Sequence, residues 1–192
     1  MTQEFKAIQP ELVVGDITTL KEPRLINDWV VWLEQRPAEN GRTTALIKPW
    51  RSDSDVQELT PYPINLRTRV HGYGGAPLVS EAFGSEIIFC WINDEDGCLW
   101  TQTWKEIIKN NKKVIYPLSL PFCLSKKSDF YLADGLIDLF RNRWIGVMEK
   151  GNRDFLVSFL LDKEFQCPYI LYEPKDFIGY ASMNLKGDQM TW

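Results

Sequence analysis

The stretch NLRTRVHGYGGAPLV, residues 65–79, decides the fold of this 192-residue chain. It holds the only histidine, His71, together with two arginines and three glycines. The pair Gly74-Gly75 suits a sharp turn, because glycine reaches backbone conformations with positive φ that other residues adopt only at a cost. We expect the chain to turn there and to enter a buried strand at Ala76–Val79.

Similar strand-and-turn patterns lie on both sides of this stretch. Before it, short β-branched and aromatic runs separated by turn residues predict four strands, and Asn40-Gly41 is a strong hairpin signal. The same order returns after it. Pro23, Gly75, Asp134 and Ala181 occupy comparable positions in successive repeats of this pattern, and they are separated by 52, 59 and 47 residues. A four-stranded unit that recurs every 40 to 60 residues, roughly, is typical of β-propeller blades.

The predicted fold class is therefore all-β: a partial β-propeller of about three four-stranded antiparallel blades plus the start of a fourth. We expect the blades at approximately residues 20–62, 65–121 and 131–175, with the next one starting in 180–192. Residues 1–19, with the apolar patch Leu12-Val13-Val14, are interpreted as a lead-in segment.

One stretch leaves a helix open as an alternative to a strand. Within Thr103–Asn110 the sequence WKEIIKN has helical composition and lacks Gly and Pro. Polar residues interleaved with Trp100 and Trp104 favour a strand just before it. The stretch is thus either the continuation of that strand or a short helical insertion.

Composition limits the classes of partner. Hydrophobic residues make up 44% and aromatic residues 13% of the chain, enough for a sizeable core. The formal net charge is −4, and no dense basic block is present to hold a nucleic-acid backbone. The N-terminus lacks the pattern of a secretory signal, and no stretch reaches the ~20 apolar residues of a membrane span. We expect a cytoplasmic protein without nucleic-acid or membrane partners.

The sequence predicts no metal and no cofactor. Cys90, Cys98, Cys123 and Cys167 are scattered, without the close pairing of zinc or redox motifs, and are interpreted as structural thiols. The acidic run Asn93–Gly97 could suggest calcium, but it lacks the alternation of an EF-hand and favours a solvated hairpin turn. No glycine pattern for phosphate binding is present.

Several segments resemble, in the family's order, the N-terminal β-propeller of serine peptidases of the prolyl-oligopeptidase family, which are related to acylaminoacyl and dipeptidyl peptidases. RTRVHGYGG at 67–75 is similar to the family's RTRVHEYGG. The other segments are PELVVGDITTLKEPRL (10–25), VVWLEQRPAENGRT (30–43), YLADGLIDLFRNRWIGVME (131–149) and YASMNLKGDQMTW (180–192), the last resembling a strand that reads roughly SPRLSPDGKQLAW. The resemblance covers only the front of such a protein.

The resemblance implies a propeller that caps an α/β-hydrolase domain and restricts entry to short peptides. The sequence has no GxSxG motif for a nucleophilic serine, so we expect no catalytic residue in this chain and no α/β-hydrolase domain. The expected partners are the missing blades and the hydrolase domain, or a second copy, and short peptides within a full peptidase. An arc of blades leaves sheet faces uncovered, so we expect the isolated chain to be marginally stable or self-associating.

Four residues are candidates for a substrate channel: Arg67, Arg69, His71 and Tyr73. Guanidinium groups match carboxylates in geometry, but arginines also commonly tie a loop to a neighbouring blade. His71 is interpreted as a loop histidine hydrogen-bonded to backbone rather than a catalytic base, and Tyr73 as a packing residue or part of a channel wall. Gly72 stands where the family commonly has Glu, so any contact made by that charge is absent here.

Two other functions remain as alternatives. The chain fits a stand-alone β-propeller-like interaction module or a truncated gene product. An unrelated propeller enzyme such as a lactonase would need clustered metal-binding carboxylates, which the sequence does not show.

Overall fold

The computed structural model describes residues 17–192, so the apolar patch at Leu12–Val14 lies outside the described residues. Four antiparallel sheets follow one another along the chain, and in the first three the strands pair largely in chain order.

The first blade contains β1 (Thr19–Ile26), β2 (Trp29–Arg36), β3 (Arg42–Pro49) and β4 (Gln57–Glu58). The second contains β5 (Leu78–Phe83), β6 (Glu86–Ile92), β7 (Leu99–Lys109), β8 (Lys112–Pro117) and a short β9 (Phe122–Cys123) that pairs with β7. The third contains β10 (Tyr131–Asp138), β11 (Arg143–Lys150), β12 (Arg153–Leu160) and β13 (Tyr169–Tyr172). A two-stranded sheet of β14 (Ser182–Met183) and β15 (Met190–Thr191) starts the fourth.

The first strands of successive sheets lie side by side. β5 contacts both β1 and β10, and β10 contacts β14, so these strands form the inner edge of a curved array. The array is not closed on itself. The predicted fold class, a partial β-propeller, is confirmed. No helix among residues 17–192 is long and apolar enough to cross a membrane.

Both faces of the second blade are covered by its neighbours. Because side chains alternate along a strand, one set of residues in β6 faces the first blade and the other set faces the third. The first set packs with Trp29, Val31 and Leu33, and the second with Trp144 and Met148. The members of the first set are Ile87, Phe89 and Trp91, and those of the second are Ile88, Cys90 and Ile92. The middle blade therefore depends on blades on both sides.

The stretch WKEIIKN is a strand, and the helical alternative is wrong. β7 continues to Lys109 and pairs with β8 in the register Ile107↔Val114. Asn110 and Asn111 form the turn with φ of 51° and 61°, the positive values that two-residue hairpin turns need. Pairing across this hairpin overrides the helical composition of the segment.

The entry into the second blade differs in one detail from the expectation. Gly74 has a φ of 90° and makes the predicted turn, but β5 begins at Leu78 rather than Ala76. The N–H of Ala76 donates to the Asp134 carboxylate at 2.7 Å, and Pro77 has no N–H to pair. The carbonyls of Ala76 and Pro77 still accept from the N–H groups of Asp134 at 3.1 Å and Ile92 at 2.9 Å, so a side chain of the third blade replaces only the pairing of the Ala76 N–H.

The first blade carries a network of charged side chains on the face opposite to its apolar residues. Arg36 contacts Glu34 at 2.8 Å and Glu58 at 3.1 Å, and Arg42 contacts Glu58 at 2.8 Å and Glu39 at 2.5 Å. The side chain of Arg42 is only 7% exposed. This face therefore pairs its charged groups within the blade.

Asp138 links the third blade to the start of the fourth. Its side chain is buried and accepts hydrogen bonds from Arg143 at 3.0 Å and Arg141 at 3.2 Å, while Arg141 also donates to the Gly187 carbonyl at 2.8 Å. Burial opposes ionisation of Asp138, but the two arginines outweigh it and hold the pKa of this carboxyl below its ordinary value. The ionised carboxylate thus stabilises the junction.

We predict that Gly75→Ala lowers the free energy of unfolding by about 2 kcal/mol, because no side chain fits there. A Cβ at Gly75 would lie 2.7 Å from Asp134 Oδ1 and 2.8 Å from Ala133 Cβ. Gly179→Ala is the control, since its Cβ would meet Asp134 Oδ2 at an ordinary 3.5 Å. Urea unfolding measures both variants, and equal stabilities would contradict the close packing at Gly75.

We predict that Asp138→Asn destabilises the chain at pH 7 and that this effect becomes smaller as the pH falls below 3.8. The pKa of Asp138 is lowered in the folded state, so its contribution is present above the ordinary value of 3.8 and is lost as pH falls through the folded value. Urea unfolding of both proteins across this range measures the difference. A difference that stays constant down to the lowest pH would show that Asp138 acts without its charge.

Candidate functional site on the loop face

The segment 65–77 crosses from the first blade to the second over one end of the array, here called the loop face. Its start is extended: the Leu66 N–H donates to the Thr43 carbonyl at 2.9 Å and the Arg67 N–H to the Ile92 carbonyl at 3.2 Å. Leu66, Thr68 and Val70 are buried, whereas the intervening arginines are exposed. Alternation along an extended backbone therefore directs both arginines to solvent.

Asn65 and Asp94 fasten the start of the crossing. Asn65 Oδ1 accepts from the Thr43 N–H at 2.9 Å, and Asn65 Nδ2 donates to Asp94 Oδ2 at 3.2 Å. The Asp94 N–H in turn donates to the Asn65 carbonyl at 2.8 Å. These contacts join the β2–β3 hairpin of the first blade to the β6–β7 turn of the second.

Arg69 is tied to the same turn. Its Nε and Nη2 lie 3.2 Å and 2.8 Å from Asp94 Oδ1, and this hydrogen bond raises the pKa of the Arg69 guanidinium. The contact neutralises one carboxylate of the acidic run. Asp96 is also engaged, since it accepts from the Cys98 N–H at 2.8 Å and from Trp100 Nε1 at 3.0 Å. Among residues 17–192, no group of three or more His, Cys, Asp or Glu side chains is placed to hold a metal ion.

Arg67 differs from Arg69 in having its guanidinium free. The Arg67 side chain makes no hydrogen bond or ion pair with any residue of 17–192, and only the backbone N–H of Arg67 is engaged. Arg67 also borders two clefts. It lines a cleft of about 420 Å³ beside the first and second blades and one of about 260 Å³ beside the second and third. Arg67 is therefore the arginine of this stretch that borders both clefts with a side chain unpaired within residues 17–192.

Tyr73 lies at the apex of the loop. Its side chain is 98% exposed and borders the larger cleft, so it contributes no packing within the described part of the chain. The flanking glycines, Gly72 and Gly74, have φ of 72° and 90° and let the loop project. The structure thus places Tyr73 at the surface, beside the cleft that Arg67 also lines.

His71 contacts two carboxylates of the third blade instead of backbone. Its own N–H donates to Glu149 Oε2 at 2.5 Å, and its ring Nε2 lies 3.1 Å from Asp154 Oδ1 and 3.2 Å from Oδ2. Phe177 meets the ring edge-on with centroids 4.6 Å apart. His71 has a φ of 53°, a left-handed conformation that a non-glycine residue adopts only when its surroundings hold it. Its polar side-chain partners among residues 17–192 are these two carboxylates, and no serine, threonine or cysteine hydrogen-bonds to the ring.

Asp154 is the residue that gathers these segments. Its side chain is only 1% exposed, and Oδ2 accepts from the Ile178 N–H at 3.0 Å as well as facing His71. It therefore joins the crossing, the third blade and the segment that leads to the fourth. Sequence reasoning did not single out Asp154 or Glu149. The available signal was the pair Gly151-Asn152, whose residue types favour a hairpin turn, because such a turn sets Glu149 opposite Asp154 on one face.

The four cysteines are free thiols, three of them buried. Burial raises the pKa of the Cys90 thiol to about 12 and that of Cys123 also to about 12, which disfavours the reactive thiolate.

Comparison with solved structures identifies proteins of the same fold. A puromycin-hydrolysing peptidase of Mycobacterium tuberculosis matches with a TM-score of 0.70 and 23% identity, over 90% of this chain and 27% of that one. A puromycin hydrolase matches with a TM-score of 0.71 and 21% identity, over 93% of this chain and 28% of that one. A mutant of puromycin hydrolase complexed with PGG matches with a TM-score of 0.60 and 23% identity, over 81% of this chain and 24% of that one. The chain thus spans about a quarter of these peptidases and shares its fold with their propeller part. No protein-family model and no curated sequence matches it.

We predict that Asp154→Ala lowers the free energy of unfolding by about 3 kcal/mol, because it leaves the His71 ring and the Ile178 N–H without their acceptor. Asp176→Ala is the control, since this exposed carboxylate accepts only from the adjacent Phe177 N–H. The double variant His71→Ala/Asp154→Ala should cost less than the sum of the single variants. Additive costs in urea unfolding would show that the two residues act independently.

Proposed function

We propose that this chain forms the N-terminal propeller segment of a serine peptidase of the prolyl-oligopeptidase type, with substrate gating and domain packing as its roles and no catalysis of its own. The observation that carries the proposal is the open array of three blades and the first two strands of a fourth. This array matches one part of much longer peptidases. The proposed partners are the remaining blades, an α/β-hydrolase domain and short peptides. A cytoplasmic location belongs to the same proposal.

The gating role is supported by the difference between the two arginines. Arg69 is held by Asp94, whereas the Arg67 side chain has no partner in the described part of the chain and borders both clefts, with Tyr73 exposed beside one of them. In this proposal Arg67 and Tyr73 meet the substrate, and a guanidinium suits a peptide carboxylate. Arg69 and His71 keep the loop in place through Asp94, Glu149 and Asp154.

The packing role is supported by the exposed apolar side chains at the end of the array. Phe177 is 75%, Tyr180 78% and Leu185 99% exposed, all in the segment around the start of the fourth blade. Large apolar groups clustered at the end of a sheet array commonly mark an interaction surface. We propose that the following blade covers them in the complete assembly.

The test is to mix the chain with puromycin hydrolase from which the matched segment has been deleted. We predict that the chain alone hydrolyses no peptide and self-associates, and that the mixture forms a one-to-one complex by size exclusion with mass measurement. The complex should hydrolyse short peptides and exclude long ones, and Arg67→Ala/Tyr73→Ala should change kcat/KM for short peptides by about tenfold.

Lys186→Ala, at an exposed turn away from the loop face, is the control for that double variant. A monomeric chain with a sharp, reversible melt that ignores the hydrolase fragment would contradict the proposal. Hydrolysis by the chain alone that a serine-directed inhibitor abolishes would contradict it as well. A defined homo-oligomer would favour a stand-alone interaction module instead.

A further inference from the structure

The β7–β8 hairpin is longer than its counterparts in the other blades. β7 has 11 residues, whereas β3 and β12, the third strands of the first and third blades, have 8 each. The additional length carries the basic and apolar segment WKEIIKNNKKVIY, residues 104–116. Neither the propeller fold nor the loop face accounts for this segment.

One face of the hairpin is braced against the first blade. Trp29 Nε1 donates to Glu106 at 2.8 Å, and Lys113 pairs with Asp28 at 3.1 Å. The side-chain amide of Gln57 donates to the Ile115 carbonyl at 2.9 Å and accepts from the Ile115 N–H at 2.8 Å. The hairpin is thereby held rigidly before any partner arrives.

The opposite face is open. Three cross-strand pairs lie along it: Lys105↔Tyr116, Ile107↔Val114 and Lys109↔Lys112. The three lysines are exposed, Ile107 is 36% exposed and Tyr116 is 41% exposed. We call these six residues the hairpin face. It combines apolar side chains in its middle with lysines on both sides.

The hairpin face is positively charged on an acidic chain. Lys105 and Lys109 have no carboxylate within ion-pair distance among residues 17–192, although Glu86 lies across from Lys105 in β6. Lys109 instead donates to the Tyr116 hydroxyl at 3.0 Å, while Lys112 reaches Asp55 at 3.2 Å. The chain as a whole carries −4, so the charge of this face is local.

We propose that the hairpin face binds an extended acidic segment of another protein, in which every second residue faces the hairpin and these facing residues are in turn a carboxylate, an apolar residue and a carboxylate. Carboxylates would pair with Lys105 and Lys109, and the apolar residues would cover Ile107, Val114 and the Tyr116 ring. Charge complementarity is the reason for this choice. Alternate residues of an extended peptide recur at about the same interval as the three cross-strand pairs.

The geometry favours this occupant over a membrane or an added strand. The tip of the hairpin is the polar turn Asn110-Asn111 between lysines, whereas a segment that enters a lipid surface places apolar residues at its leading end. Strand addition at the edge of β8 is blocked, because Gln57 occupies both backbone groups of Ile115 and Pro117 has no N–H. The side-chain face is what remains available.

The test uses the full chain and a fluorescent peptide of about nine residues, with fluorescence anisotropy as the readout. In this peptide Glu and Val take turns at every second position, and Ser fills the positions between them. We expect saturable binding that weakens with salt, and at least a tenfold loss of affinity in Lys105→Glu/Lys109→Glu. Lys126→Glu/Lys127→Glu is the matched control, because it makes the same change of charge at exposed lysines in another part of the blade. Its affinity for the peptide should stay within twofold of that of the original chain. Lys105→Gln/Lys109→Gln, which removes the charges without reversing them, should show an intermediate loss of affinity for the peptide. Circular dichroism checks that each variant is folded.

Three results would overturn the proposal. The first is the absence of peptide binding, and the second is an equal loss in both charge-reversed variants, which would indicate general attraction. The third is binding to phosphatidylserine vesicles that depends on Lys105 and Lys109 while the peptide does not bind. The test does not involve the loop face, so its failure leaves the proposed peptidase role standing.

Discussion

Carboxylates from two blades hold the crossing segment 65–77, and the arrangement of the first three blades depends on these contacts. Asp94 of the second blade binds Asn65 and Arg69, Asp134 of the third binds the Ala76 N–H, and Asp154 binds the His71 ring. Asp134 satisfies a backbone donor, whereas Asp94 and Asp154 hold side chains of the crossing. The crossing is therefore a connection between three blades as well as a link in the chain.

This constraint explains why the loop face is both ordered and open. His71 holds a left-handed backbone conformation because Glu149 and Asp154 fix its N–H and ring, and that leaves Tyr73 projecting beyond them. The Arg67 side chain has no acidic partner within residues 17–192, because the backbone on both sides of it is anchored and holds the side chain toward solvent. Rigid support with unengaged side chains at the surface is the arrangement that a binding or gating role requires.

The sequence predicted the blades because alternation and turn residues are local properties. The strands of the third blade and the hairpin at Asn40-Gly41 were readable in this way. The partners of the crossing were not, because Asp134, Glu149 and Asp154 lie 58, 78 and 83 residues from the groups they bind. Arg67 and Arg69 are alike in sequence, and only the position of Asp94 distinguishes them. WKEIIKN left a helix open as an alternative for the opposite reason, since its composition is helical while pairing with β6 and β8 decides its conformation.

The most direct test of this account is native-state hydrogen exchange of the backbone amides in the crossing. If the carboxylates hold the segment, the amides of His71 and Ala76 should exchange slowly, together with those of β6. In Asp154→Ala the exchange of the His71 amide should accelerate more than that of the other amides. Exchange of these amides as fast as that of the exposed turn at Gly84 would contradict the account, since the crossing would then be a loose linker between blades.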